Sequence, residues 1–166
     1  MHDEAVRDRS AAKAGTTCAA PAAPRVPGRR RAVDLDGDEA LRLLATVPLG
    51  RIVFTRRALP AIRPVNHLVD AGDVVLRTHE GAALTAYARE AGTEGVVVAY
   101  EADDIDLATR LGWSVVVTGY CRPVTDPADT ARYKTLLRPW TDRRNDEVLR
   151  IRPDLVTGIR LVPADG

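Results

Sequence analysis

The chain has 166 residues, of which 45% are apolar, 28% charged and 4% aromatic, which excludes a wholly disordered polymer and suggests one domain with some excess. Its 24 basic and 23 acidic residues exclude a globally basic nucleic-acid binder, and no apolar run approaches the ~20 residues of a spanning helix. Cys18 and Cys121 are too few for a disulfide framework, so a reducing cytoplasm is the expected setting.

The charge is unevenly placed. Residues 1–33 hold seven basic residues against three acidic ones, in a background of Ala, Pro, Gly and Thr. Such a segment cannot offset its ordering entropy by burial, so it is expected to be a disordered tail, with one folded domain over 34–166. No apolar stretch follows its charges, so it is not read as a secretory signal. Arg29-Arg30-Arg31 suits a nucleic-acid arm, but a solvated tail is the favoured reading.

Asp36-Gly-Asp-Glu39 has the form of a capping box, and Ala40, Leu41, Leu44 and Ala45 follow at helical spacing until Pro48 and Gly50. The period then changes. Arg51–Thr55 is a strand by propensity, Arg57–Pro60 a turn, Ala61–Val69 a second strand, and Asp70-Ala-Gly-Asp73 a hairpin loop before Val74–Thr78. Gly81–Glu90 returns to helical spacing and stops at Gly92. Gly95–Ala102 reads as an apolar strand, and the acidic stretch Glu101–Asp106 as the start of a connection to the long strand Trp113–Val124. Asp126-Pro127 sets a helix start to about Leu137, residues 141–153 suggest another helical turn or two, and Leu155–Val162 is a last strand. About six strands in antiparallel hairpins, with three or four helices, predict a mainly β fold: a small closed barrel with peripheral helices.

The second strand carries the sharpest chemistry. Period-2 alternation puts Arg63, Val65, His67 and Val69 on one face, and Ile62, Pro64, Asn66 and Leu68 on the other. An arginine and a histidine between valines suit a cofactor cleft; a rim charge and a hydrogen-bonded surface imidazole are the blander reading. Pro64 points to an edge or a bulge, because it cannot donate to a ladder.

Gly50-Arg-Ile-Val-Phe54, Arg63-Pro-Val-Asn-His67, Val74-Val-Leu-Arg-Thr78 with Gly81 after it, and Gly112-Trp-Ser-Val-Val-Val-Thr-Gly119 occur in that order. Together they resemble the flavin-binding split barrels of the pyridoxamine 5′-phosphate oxidase type, over about Asp36 to Pro163. The likeness is greatest to the short bacterial branch that includes nitroimidazole-reductase-like proteins. The resemblance implies a six-stranded antiparallel split barrel, a homodimer, and FMN in two equivalent clefts between protomers. It assigns Arg63, Pro64, Val65 and Asn66 to the strand along the flavin, Arg77 and Thr78 to a strand end touching it, and Gly81 to the phosphate loop. Ser114 falls where a polar side chain reaches the ring, and His67 where vitamin-oxidising members place a substrate-binding lysine. Ala82-Ala83 departs from the pattern, since that branch has a small hydroxyl residue and then lysine there.

His67, His79 and the aspartates 103, 104 and 106 lack compact ligand spacing, so no metal site is expected. There is no G-x-S-x-G, Walker loop or G-x-G-x-x-G. Cys121 reads as a small hydrophobe, and Trp113 and Trp140 as core or interface anchors. The expectation is therefore an FMN-dependent oxidoreductase acting on a small organic substrate. An F420-dependent reductase on the same fold and a non-catalytic cofactor-binding module are its rivals.

Overall fold

A computed structural model describes residues 28–78, 82–138 and 147–164. In chain order the elements are β1 (Arg30–Asp34), α1 (Gly37–Leu44), β2 (Leu49–Arg56), β3 (Leu59–Asp70), β4 (Asp73–Thr78) and α2 (Ala83–Glu90). They continue as β5 (Val96–Asp106), β6 (Leu111–Pro123), α3 (Pro127–Leu136) and β7 (Glu147–Pro163).

The strands follow the order β1-β7-β4-β3-β2-β5-β6, all pairs are antiparallel, and β7 also pairs with β6. Strands β2 to β7 therefore close into a six-stranded barrel, as the sequence predicts, and closure leaves the ring no free edge. The 17-residue β7 makes the closure possible. Its Glu147–Ile151 stretch meets β4, and Leu149–Leu161 runs along β6.

Three boundaries differ from the sequence reading. Arg30–Asp34 is a seventh strand paired with Ile159–Pro163, so the folded unit begins inside the stretch assigned to the tail. Burial could not reveal this, because β1 gains its order from a ladder and not from an apolar face. Glu101–Asp106 extends β5, its acids alternating on a strand that pairs with β6 as far as Asp106↔Leu111. Residues 147–153 are strand, not helix, with Val148, Leu149 and Ile151 buried between neighbours; residues 141–146 and Trp140 lie outside the described residues.

Local chemistry explains the helix starts. Asp36 Oδ1 accepts the Glu39 N–H at 2.8 Å, and Asp126 Oδ1 accepts the Asp129 N–H at 2.8 Å with Pro127 as first helical residue. Only half of the expected capping box forms, because the Glu39 carboxylate instead accepts from Arg160 at 2.7 Å.

The barrel interior is filled by side chains such as Ile52, Phe54, Val98, Val115 and Val117, with Ala40 and Leu44 from α1 and Leu84 and Ala88 from α2 joining the same cluster. Trp113 and Cys121 belong to it, as expected. Burial pushes the Cys121 thiol up to about 12, so it stays protonated and unreactive. Helix α3 lies outside the barrel, where Tyr133 and Leu137 pack on Val75 and Val148. Strand β4 is thus buried on both faces, which accounts for its unbroken Val74-Val75-Leu76 run. Gly119 sits at a register shift in β6; a Cβ there would lie 2.1 Å from the Arg152 carbonyl oxygen.

Candidate functional site

Strand β3 has two unlike faces. Val65 and Val69 pack on the core, and His67 between them is 4% exposed. The face assigned to a cofactor cleft is therefore mostly barrel interior. Arg63 escapes it near the strand start, exposed, with its guanidinium on the neighbouring Ile62 carbonyl at 2.7 Å. The outward face carries Ile62, Pro64 and Asn66, and Asn66 Nδ2 donates to the Arg138 carbonyl at 2.9 Å. Pro64 costs no ladder bond. His67 N–H donates to Pro48 O at 3.0 Å, so alternation turns the Pro64 nitrogen away from β2, and the β4 pairing covers only His67 to Asp70.

His67 does not face a substrate in this chain. Its Nε2 lies 2.9 Å from the Leu44 carbonyl oxygen and its Nδ1 2.7 Å from the Tyr100 hydroxyl. The carbonyl can only accept, so Nε2 carries the proton and Nδ1 accepts from Tyr100. That hydroxyl also lies 3.1 Å from Val65 O, which ties β3 to β5 and to the end of α1. This partner was not legible in the sequence. Alternation with Val98 and Ala102 turns Tyr100 inward, but only the fold brings its phenol to an imidazole 33 positions away. Gly50 makes the approach possible, since a Cβ there would stand 2.5 Å from the Tyr100 hydroxyl.

Burial holds the His67 pKa below the ordinary 6.5, with the Leu44 bond opposing it. The folded state thus favours the neutral ring. Its contribution to stability is complete above the unfolded pKa and is lost as pH falls from about 6.5 toward the lower folded value. Melting temperature is expected to drop between pH 7 and pH 5, and His67→Gln should flatten that part of the profile. An unchanged slope in the variant would assign the acid sensitivity to carboxylates.

The end of β4 and the start of α2 form the second part of the site. Arg77 points to the α3 side, where NH1 donates to the carbonyls of Lys134 at 2.7 Å and Leu137 at 2.9 Å. It therefore closes the C-terminal end of α3, a role the sequence did not show. Thr78 is half-buried beside it, while Gly81 and His79 lie outside the described residues. Helix α2 begins at Ala82 with no side-chain cap and no acid in its first turn. One residue inside that turn, the Thr85 hydroxyl is buried with no hydrogen-bond partner among the described residues. Uncapped N–H groups beside an unpartnered hydroxyl suit a phosphoryl group, so the residues present fit the phosphate end of a nucleotide cofactor.

Ser114 is not brought to this place. It faces outward on β6 opposite Asp103, three strand spacings from β3, or about 14 Å. From β3 across β2, β5 and β6 to β7, the outward barrel surface carries exposed aliphatic side chains that no helix among the described residues covers. Ile62 is 56% exposed, Val97 59% and Leu155 57%, and Arg51 bridges Glu101 and Asp103 on the same face. Among the described residues no group of three metal-ligating side chains converges, and no helix is long and apolar enough to cross a membrane.

The family model described as pyridoxamine 5′-phosphate oxidase matches residues 36–160. The chain belongs to that family. This pyridoxamine 5′-phosphate oxidase-like chain is 56% identical over 144 residues to an uncharacterized protein of Mycobacterium tuberculosis, covering 82% of this chain and 95% of the relative. It is 33% identical to an FAD-binding protein of Mycobacterium smegmatis, with a TM-score of 0.59 over 78% of this chain and 98% of that structure. An FAD-binding protein of Mesorhizobium loti, 18% identical, shares the fold with a TM-score of 0.66 over 81% of this chain and 99% of its own. The split barrel inferred from the motif order is thus the fold of the oxidase-like chain, and Gly50, Gly112 and Gly119 of those motifs have backbone reasons in it.

Proposed function

We propose that this chain binds FMN between two copies of itself and serves as an oxidoreductase toward a small organic molecule. The observation that carries the reading is the N-terminus of α2, which has no side-chain cap, with the Thr85 hydroxyl unpartnered among the described residues, at the strand end the family uses for its flavin. When bound, the flavin supplies hydride and electron transfer through its ring. The chain's own part is to hold and orient it. Arg63, Pro64, Asn66 and the backbone of Val65 would line the ring and ribityl chain, and Thr78, Gly81 and the α2 N–H groups the phosphate, while Arg77 is committed to the end of α3. Ser114 of the partner subunit would reach the ring, since one protomer keeps its own serine too far away. The uncovered apolar face supplies the dimer contact, because exposed aliphatic side chains in one contiguous patch mark an interaction surface.

Protein purified without added cofactor from a host that makes flavins is expected to be yellow, with a flavin absorption spectrum. Colourless protein that takes up F420 and not FMN would replace the cofactor in this reading, and protein that takes up neither would leave a binding module without redox chemistry. Position 83 gives a finer test. It is the first helical residue of α2 and half-buried, so Ala83→Lys adds a charge-assisted donor where a phosphate sits. FMN affinity should rise by about tenfold at low salt, measured by fluorescence titration. Unchanged affinity would place the phosphate elsewhere.

A further inference from the structure

A cavity of about 300 Å³ opens on the β4–β7–β6 side of the barrel, at the start of α3. It lies at the Asp73 end of β4, five residues or about 16 Å from the Thr78 end where the phosphate of FMN is placed above. Three arginines and three aspartates line it.

Two of these arginines, Arg122 on β6 and Arg150 on β7, stand directly opposite each other in the ladder. Like charges in that position repel unless something neutralises them. The Nε atoms of both are buried without a hydrogen-bond partner. The carboxylates do not resolve this, because they gather around Arg150. Asp129 Oδ2 accepts from its NH2 at 3.2 Å, and Asp73 Oδ2 stands 3.7 Å from its Nε. Asp126 spends Oδ1 on the helix cap. Arg122 is left with one side-chain bond, to the Glu94 carbonyl at 3.2 Å, and the Arg152 side chain makes no hydrogen bond or contact ion pair among the described residues, its charge acting on the Asp73 carboxylate only from beyond contact distance.

We propose that this cavity is a binding site for the carboxylate of a small organic acid, held by Arg122 and Arg152, with the acid's body against Pro123 and Val124. A guanidinium matches a carboxylate with two parallel N–H bonds, and Arg122 and Arg152 are the two arginines that no aspartate of the wall contacts, so they can receive a single negative charge. A phosphate dianion carries twice that charge toward three aspartates on the same wall, so the site should discriminate against it. The volume suits a ligand at the small end of the usual range.

The test is calorimetric titration of the full chain with sodium benzoate, acetate and inorganic phosphate at pH 8 and low salt. Benzoate should bind more tightly than acetate, and both more tightly than phosphate. Arg122→Gln and Arg152→Gln should each weaken benzoate by about tenfold, while Arg31→Gln, on the far strand β1, leaves it unchanged. Arg152 lies at the exposed rim, so its variant keeps the test decisive if Arg122→Gln impairs folding. Benzoate affinity should be the same with and without bound FMN, which separates this site from the flavin reading. No heat and no thermal shift with benzoate up to about 50 mM would overturn the proposal. Equal binding by the arginine variants, or phosphate binding more tightly than benzoate, would overturn it too.

Discussion

Gly50→Ala is expected to cost about 3 kcal/mol and to lower the melting temperature by roughly 6–12 °C. A Cβ at position 50 would stand 2.5 Å from the Glu101 carbonyl oxygen and 2.6 Å from Tyr100 Cζ. One neighbour is backbone of the adjoining strand β5, and the other is a ring with no exposed surface, so neither can swing aside. The strain would reach further than the barrel wall. Displacing Tyr100 pulls its hydroxyl from His67 Nδ1 and Val65 O, leaving a buried imidazole with an unmet acceptor. Tyr100→Phe keeps the ring and loses only the hydroxyl, so it should cost about 1–2 kcal/mol, and the difference between the two variants measures the steric part. Thermal melts followed by circular dichroism check both, and wild-type stability in Gly50→Ala would show that β2 and β5 stand further apart than described.

If the chain forms the proposed dimer through this face, Leu155→Asp is expected to leave it monomeric and to weaken the proposed FMN binding by at least about tenfold. Leu155 pairs with Thr118 at the β7 side of the uncovered face and lies outside the segments assigned to the cofactor, so it reports on the interface alone. In a dimer its replacement would bury an unpaired charge, which costs several kcal/mol. In a monomer the same carboxylate stays in water and harms nothing. Sedimentation and flavin titration on one sample separate the outcomes. A monomeric variant that still binds FMN at wild-type affinity would place the whole site within one protomer. A dimeric variant would move the interface to another face.

Much of the fold was readable because it rests on local rules. The Asp36 and Asp126 caps, the Asp70–Asp73 hairpin and the alternation of Trp113, Val115, Val117 and Cys121 are each set by residues within a few positions of one another. The motif order then led to the family, which no periodicity alone could do.

What the sequence left open has a common physical cause. Alternation divides β3 into two faces but does not say which one meets the core, and the interior took His67 because Tyr100 and the Leu44 carbonyl could satisfy both of its nitrogens. Arg77 reads as a ligand-binding cation in its strand, yet the packing of α3 brings two orphan carbonyls to it. Strand β1 and the first half of β7 have little pattern of their own and gain their order from ladders with distant partners. Sequence by itself determined most of the elements, the Asp36 and Asp126 caps and the family; tertiary structure decided β1, the start of β7, which side chains face inward and which polar groups meet. Those outcomes depend on contacts between residues tens of positions apart, and only closure of the barrel brings them within hydrogen-bonding distance.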